Sequence, residues 1–216
     1  MYTLRVEFMV PPGKIVEFEN AAAQLAVVER TQRGIQGFSL WNSVGYPIHY
    51  AVLVRAESLE AIDRARRTDG FKLAVGAVGA LATVSRLPEV YEVVLDTGSP
   101  GGQYLGLTDW SILGGPDGAA AFEARAKEMF ALHEKHIQGW VGTRLRRSLA
   151  VPNRYLAMRY ASTLEAAQPA KDPPAVLEFR RANPPEKYLS GPVTVETFRS
   201  ILAVAPGQRR AARTRR

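Results

Sequence analysis

The chain opens on an alternation. Leu4, Val6, Phe8 and Val10 are apolar, and Thr3, Arg5, Glu7 and Met9 stand between them. A period of two sends successive side chains to opposite faces, so this stretch predicts a half-buried strand. Pro11-Pro12-Gly13 stops it. The period then lengthens. Ile15, Phe18, Ala22, Leu25 and Val28 recur at helical spacing, with Glu17, Glu19, Gln24 and Glu29 off that stripe. Gly34 and Gly37 close the helix. Phe38 to Ser43 predicts a second strand, Gly45-Tyr46-Pro47 a turn, and Tyr50 to Ala56 a third strand. Ser58 is placed to cap a helix from Leu59 to about Arg67. Leu73 to Val84 is the longest apolar stretch, interrupted by Gly76 and Gly79. It is far shorter than the ~20 residues of a membrane span, so it predicts a buried helix. Val90 to Leu95 supplies a fourth strand. The order β-α-β-β-α-β is the ferredoxin-like arrangement.

Asp96-Thr-Gly-Ser-Pro-Gly-Gly102 is rich in turn formers and reads as a linker. Beyond it the pattern starts again. Leu105 to Leu113 is strand-like, and Gly114-Gly115-Pro116 breaks it. Phe122, Ala126, Met129, Phe130, His133 and Ile137 form a helical stripe. Ile35-Gln-Gly-Phe38 recurs as Ile137-Gln-Gly-Trp140, and Tyr50 through Ala61 recurs as Tyr155 through Ala166. The offset grows between these landmarks, which predicts a longer second hairpin. Val193 to Leu202 repeats the fourth strand. Landmarks recurring in one order mark a tandem repeat. The expected domains are 1–97 and 104–205, with a linker at 98–103 and a disordered basic tail at 206–216.

A four-stranded sheet with both helices on one face leaves its other face bare. A second copy in the same chain covers it, sheet against sheet. The fold class is therefore α+β: two ferredoxin-like repeats forming an intramolecular dimeric α+β barrel, with a cavity between sheet and helices in each half. Pairing of two such chains into a homodimer is left open.

Composition narrows the chemistry. A chain of 216 residues suits two domains. There is no cysteine, so disulfides, thiolate nucleophiles and Cys-ligated zinc or iron–sulfur clusters are excluded. The formal charge is +7, but Arg209, Arg210, Arg213, Arg215 and Arg216 supply five of those charges, which leaves the folded part at +2. The basic end reads as a solvated tail, and nucleic acid is not the expected partner. No apolar leader precedes the first strand, so the expectation is a cytoplasmic protein away from membranes.

Several residues together resemble a known family. They are Gly37-Phe38, Tyr50 with Val52-Leu-Val54, Glu57-Ser58-Leu59-Glu60-Ala61, and Asp69-Gly-Phe-Lys72. This combination is similar to the antibiotic biosynthesis monooxygenase family. The resemblance implies a small aromatic or polyketide-like substrate and cofactor-independent monooxygenation; a non-catalytic binding or interaction module is the alternative. Heme-degrading members carry a histidine shortly after the Phe-Lys step of the second helix. That place holds Val75 in the first half and Asn183 in the second, so no cofactor is expected.

Within that resemblance the first hairpin carries the candidate chemistry. His49 is the candidate base that takes a phenol proton, and Asn42 or Arg55 would hold the resulting anion. Trp41 and Tyr50 would form an aromatic wall. The competing reading packs Trp41 between the sheets and leaves His49 in a wet hairpin. Around the second hairpin Trp140, Arg144, Tyr155 and Tyr160 are candidate substrate contacts, through cation–π and bidentate interactions. With Arg146, Arg147, Arg154 and Arg159 around them, the set could bind an anionic or planar ligand, and a solvated edge that blocks strand pairing is an equal reading. His133 and His136 flank one helical turn, but no third ligand has suitable spacing, so His133 reads as a core or interface histidine and no metal is expected.

Overall fold

The computed structural model describes residues 1–114, 116–184 and 187–204. The opening alternation forms β1 (Tyr2–Met9), and α1 (Ile15–Thr31) follows the prolines. A hairpin of β2 (Ile35–Ser43) and β3 (His49–Ala56) comes next. Ser58 accepts a hydrogen bond from the Ala61 amide and caps α2 (Leu59–Arg67). Thr68 caps α3 (Asp69–Gly79) in the same way, through the Phe71 amide. β4 (Thr83–Gly98) runs much further than the apolar run at 90–95 suggests. The second half repeats the plan with β5 (Tyr104–Ser111), α4 (Pro116–His136), β6 (Trp140–Ser148) and β7 (Arg154–Ala161). It ends with the short α5 (Leu164–Ala167), α6 (Pro174–Ala182) and β8 (Thr194–Val204). The basic tail lies outside the described residues. Among the described residues, no helix is long and apolar enough to cross a membrane.

All pairings are antiparallel, and each half has its own four-stranded order. The halves are also joined strand to strand. β2 pairs with β8 and β4 with β6, which closes the barrel β1-β3-β2-β8-β5-β7-β6-β4. The bare sheet faces thus become the inside of the barrel. Trp41, Leu53, Leu105, Leu107, Met158 and Phe198 fill its middle. The helices cover the outside.

Two expectations are corrected. The hairpins have the same length, because Ile35–Ser43 and His49–Ala56 map onto Trp140–Ser148 and Arg154–Ala161 at a constant offset of 105. The shared Ile-Gln-Gly string misaligns the copies. The equivalent glycines are Gly34 and Gly139, with φ of +87° and +86°. Their carbonyls accept from the Glu57 and Ser162 amides at 2.9 and 2.8 Å. Only glycine takes this backbone conformation without strain, so geometry outranks the string. The apolar run at 73–84 is also not a buried helix. Val78 is buried, yet Leu73 is 79% exposed, because α3 packs one face on α1 and turns the other outward.

Candidate functional site

The two halves differ in how they fill the space between sheet and helices. In the first, Leu4, Val6, Phe38 and Val52 meet Phe18 and Leu25 of α1 in a continuous core. The strand registers place Gly106, Thr108, Thr143 and Ala157 at the four corresponding positions of the second half. Four small side chains replace four large ones. The result is a cavity of about 270 Å³ between the second sheet and helices α4 and α6. The expected cavity in each half is therefore corrected for the first half, whose larger residues occupy the space. Trp110, Phe122, Met129, Phe130 and Phe179 give the second-half cavity an apolar, aromatic wall.

One end of that wall is charged. Arg159 stands where the first half has Val54. Its Nη1 donates to Asp172 Oδ1 at 2.7 Å, and its Nη2 lies 3.2 Å from His133 Nε2. Arg180 Nη2 approaches Asp172 Oδ2 at 2.5 Å, and its Nη1 donates to the Pro169 carbonyl at 3.1 Å. A guanidinium has no acceptor, so His133 Nε2 must accept and the imidazole proton sits on Nδ1. That Nδ1 is buried with no hydrogen-bond partner among the described residues. Burial, then the charges of Arg159 and Arg180, hold the His133 pKa well below the ordinary histidine value. The cluster therefore comprises two guanidinium cations, one carboxylate and a neutral imidazole. It carries a net charge of +1 at the end of an apolar wall, with Arg159 and Asp172 buried, where charge is poorly screened, and Arg180 partly exposed. Thr108, Thr143 and Asn183 add polar groups to the lining.

The repeat supports these equivalences. Phe18, Ala22, Leu25 and Glu29 of α1 align with Phe122, Ala126, Met129 and His133 of α4. A tyrosine–glutamate bond recurs beside them. Tyr50 donates to Glu19 at 2.8 Å, and Tyr155 donates to Glu123 at 2.6 Å.

The sequence-predicted residues lie mostly elsewhere. His49 and Arg55 occupy opposite ends of β3, about 20 Å apart at the rise of a strand. Asn42 pairs in register with Tyr50, so it faces away from both. It ties down the hairpin instead, donating to the Pro47 and His49 carbonyls at 2.7 and 3.2 Å and accepting from Arg199 at 3.2 Å. His49 is not in a wet hairpin: it bridges Glu196 at 2.8 Å and Glu7 at 3.4 Å inside the barrel. The three candidates for catalysis thus do not form one site. Trp41 packs between the sheets, 5.9 Å from the Tyr160 ring. Trp41, Arg55, Arg144 and Tyr160 share a second cavity at one mouth of the barrel. Tyr50 and Tyr155 belong to the outer cores, and Trp140 donates to Thr143 Oγ1 at 2.9 Å. Arg144, Arg146 and Arg159 are buried, which corrects their reading as a solvated edge.

Residues 1–77 match the family profile described as antibiotic biosynthesis monooxygenase (ABM). The match runs from β1 into α3 of the first half. The whole chain is similar in fold to solved structures built on the same doubled plan. A candidate monooxygenase from Fusobacterium nucleatum subsp. nucleatum ATCC 25586 superposes with a TM-score of 0.76 at 10% identity, over 94% of each chain. A candidate monooxygenase from Lactobacillus acidophilus NCFM gives 0.72 at 12% identity, over 95% of this chain and 97% of that one. An anthrone oxidase-like protein gives 0.63 at 13% identity, over 98% and 95%. No curated protein matches the sequence. The ABM profile thus falls in the half whose sheet and helix meet in a continuous buried core, and the outer cavity belongs to the second copy. Asn183 of that copy lines the cavity with an amide.

Sequence reasoning named Arg159 among the arginines of the second hairpin but missed its meeting with Asp172, Arg180 and His133. Its available signal was the alternation of β7, where Arg159 falls in phase with Tyr155, Ala157 and Ala161 on the helix-facing side. Asp172 and Arg180 come from chain segments that meet Arg159 only in the folded protein.

Proposed function

We propose that the second-half cavity binds a small aromatic molecule bearing an acidic phenol or enol, and that the protein acts on it as an ABM-type monooxygenase. The observation that carries this reading is the +1 cluster of Arg159, Asp172 and Arg180 at the end of an aromatic cavity. A buried excess positive charge favours the ionised form of a bound phenol or enol. Arg159 and Arg180 would hold that oxyanion, while Trp110, Phe122 and Phe179 pack against its rings. The bound anion is electron-rich and can reduce O₂ directly. For an anthrone-like methylene the balance is R₂CH₂ + O₂ → R₂C=O + H₂O. One oxygen atom enters the product and the other leaves as water, with the substrate supplying all the electrons. His133 contributes as a neutral positioning group, because its one free lone pair already accepts from Arg159.

The test is oxygen uptake with anthrones and quinols. Arg180→Gln should lower kcat/KM by about 10²-fold, the usual worth of one oxyanion contact. Turnover that survives Arg180→Gln but disappears in His49→Ala would move the chemistry to the barrel interior and overturn the assignment.

A second reading has its own observation. Among the described residues, no cavity-lining side chain offers a free basic lone pair: His133 Nε2 is engaged by Arg159, and Asp172 behind the lining arginines is held by both of them. On this reading the cavity is a binding module for an aromatic anion. Ligand-dependent thermal stabilisation without oxygen uptake would select it.

A further inference from the structure

Besides the Glu89–Arg154 pair, the charged side chains inside the barrel fall into two groups. Towards the end of β1 lie Arg5, Arg86 and His49 with Glu7, Asp109 and Glu196. Arg5 contacts Asp109 at 2.8 Å, Arg86 contacts Asp109 and Glu7 at 3.4 and 3.3 Å, and His49 bridges Glu7 and Glu196. Hydrogen bonds to Glu196 and Glu7 raise the His49 pKa to about 9, so the group holds three cations against three anions and is self-neutral.

The opposite mouth is different. Arg55, Arg144 and Arg146 line a cavity of about 220 Å³ together with Trp41 and Tyr160. Asp96 serves two of these arginines, Arg146 by a direct contact and Arg144 at 3.7 Å. Among the described residues, no carboxylate lies within ion-pair distance of Arg55, whose guanidinium donates only to the Gln36 carbonyl at 3.3 Å. Arg144 is held by backbone carbonyls, those of Thr97, Thr143 and Gly98. Arg146 donates to Thr3 Oγ1 at 3.0 Å. Three guanidinium groups against one carboxylate leave two positive charges uncompensated in an enclosed space. The aromatic wall adds a surface for a flat group, and the linker residues Pro100 and Gly101 cover one side.

We propose that this mouth of the barrel is an anion site, separate from the outer cavity, that takes a small phosphate dianion, free or as a phosphomonoester. Two excess charges match a dianion, and guanidinium forks match the oxygens of phosphate. The partly buried Arg55 is the primary contact, with the fixed Arg144 and Arg146 supplying field.

Tryptophan indoles report where a ligand sits. Trp41 lines this mouth, Trp110 lines the outer cavity, and Trp140 lines neither. The full chain, ¹⁵N-labelled, would be titrated with inorganic phosphate and with phenyl phosphate, chloride holding the ionic strength constant. The proposal expects a saturable shift of the Trp41 indole with both ligands, and with inorganic phosphate, which lacks a ring, Trp110 stays still. Arg55→Gln should weaken binding by about tenfold or more, as loss of a charged hydrogen bond does. Arg180→Gln should leave binding unchanged. Arg55→Lys, which keeps the charge, should retain part of the affinity and guards against a folding defect. Tighter binding of the ester would identify an organic phosphate, and equal binding a free ion; both support the site. A static Trp41 indole, or movement of Trp110 alone, would overturn it.

Discussion

Position 52 in the first half and position 157 in the second share one place in the repeat, and exchanging their residues tests the central asymmetry. Val52 is buried in a filled core, whereas Ala157 faces a cavity of about 270 Å³. Ala157→Val adds two carbons to vacant space. At about 0.8 kcal/mol per buried methylene the gain is about 1.6 kcal/mol. Side-chain ordering removes about 0.5 kcal/mol. The net of about 1 kcal/mol corresponds to a Tm about 2–4 °C higher in a chain of this size. Val52→Ala removes the same two carbons from a packed site. Lost transfer energy and the void left behind together cost about 2–3 kcal/mol, which lowers Tm by about 4–12 °C. Differential scanning calorimetry of both variants reads the sign directly. Oxygen uptake and ligand-induced stabilisation should fall in Ala157→Val and persist in Val52→Ala. If both substitutions lowered Tm by similar amounts, the halves would be packed alike, and a cavity confined to the second would be refuted.

Three further outcomes follow from buried charge. Burial raises Glu29 to about 7 against the opposing pull of Arg66, while its unfolded carboxyl titrates near 4.5. Between those values the unfolded chain ionises first, so the folded state loses stability as pH rises. Glu29→Gln should stabilise by about 2 kcal/mol at pH 8 and by almost nothing at pH 4, read from melts across that range. His49 has the opposite sign: its partners lift it from 6.5 to about 9. That contribution is complete below pH 6.5 and is lost as pH rises through 9, so the Tm difference between wild type and His49→Gln should shrink between pH 6.5 and 10. Asp172→Asn leaves Arg159 and Arg180 uncompensated, which costs about 3–5 kcal/mol. Circular dichroism should show a fall in Tm of roughly 10 °C.

The architecture was legible because it follows from periods. A spacing of two assigned the faces of β1, and the helical stripe of α1 returned in α4 one repeat later. A matching tripeptide misled the alignment because it carried no conformational information, whereas the positive φ of Gly34 and Gly139 did. The all-apolar look of α3 misled because composition does not say which face meets a neighbour. The outer cavity was harder to see. It is made by what is missing at Gly106, Thr108, Thr143 and Ala157, and by charges on three separate elements that meet only when the chain folds. His133 sits on an apolar stripe and looks like core. Only its contact with Arg159 distinguishes it. Asn42 and His49 are close along the hairpin, yet strand alternation points them to opposite faces.

Strand pairing across β2–β8 and β4–β6 leaves neither repeat with a free rim, so each is permanently married to one specific sibling. In an assembly of two separate identical subunits, any substitution would appear twice. Here the tether breaks that rule. One repeat can stiffen into scaffold, with Glu29 and Val54 at its heart, while the other hollows out around His133 and Arg159. Fusion turns a symmetric shell into a molecule whose sides are free to take different jobs.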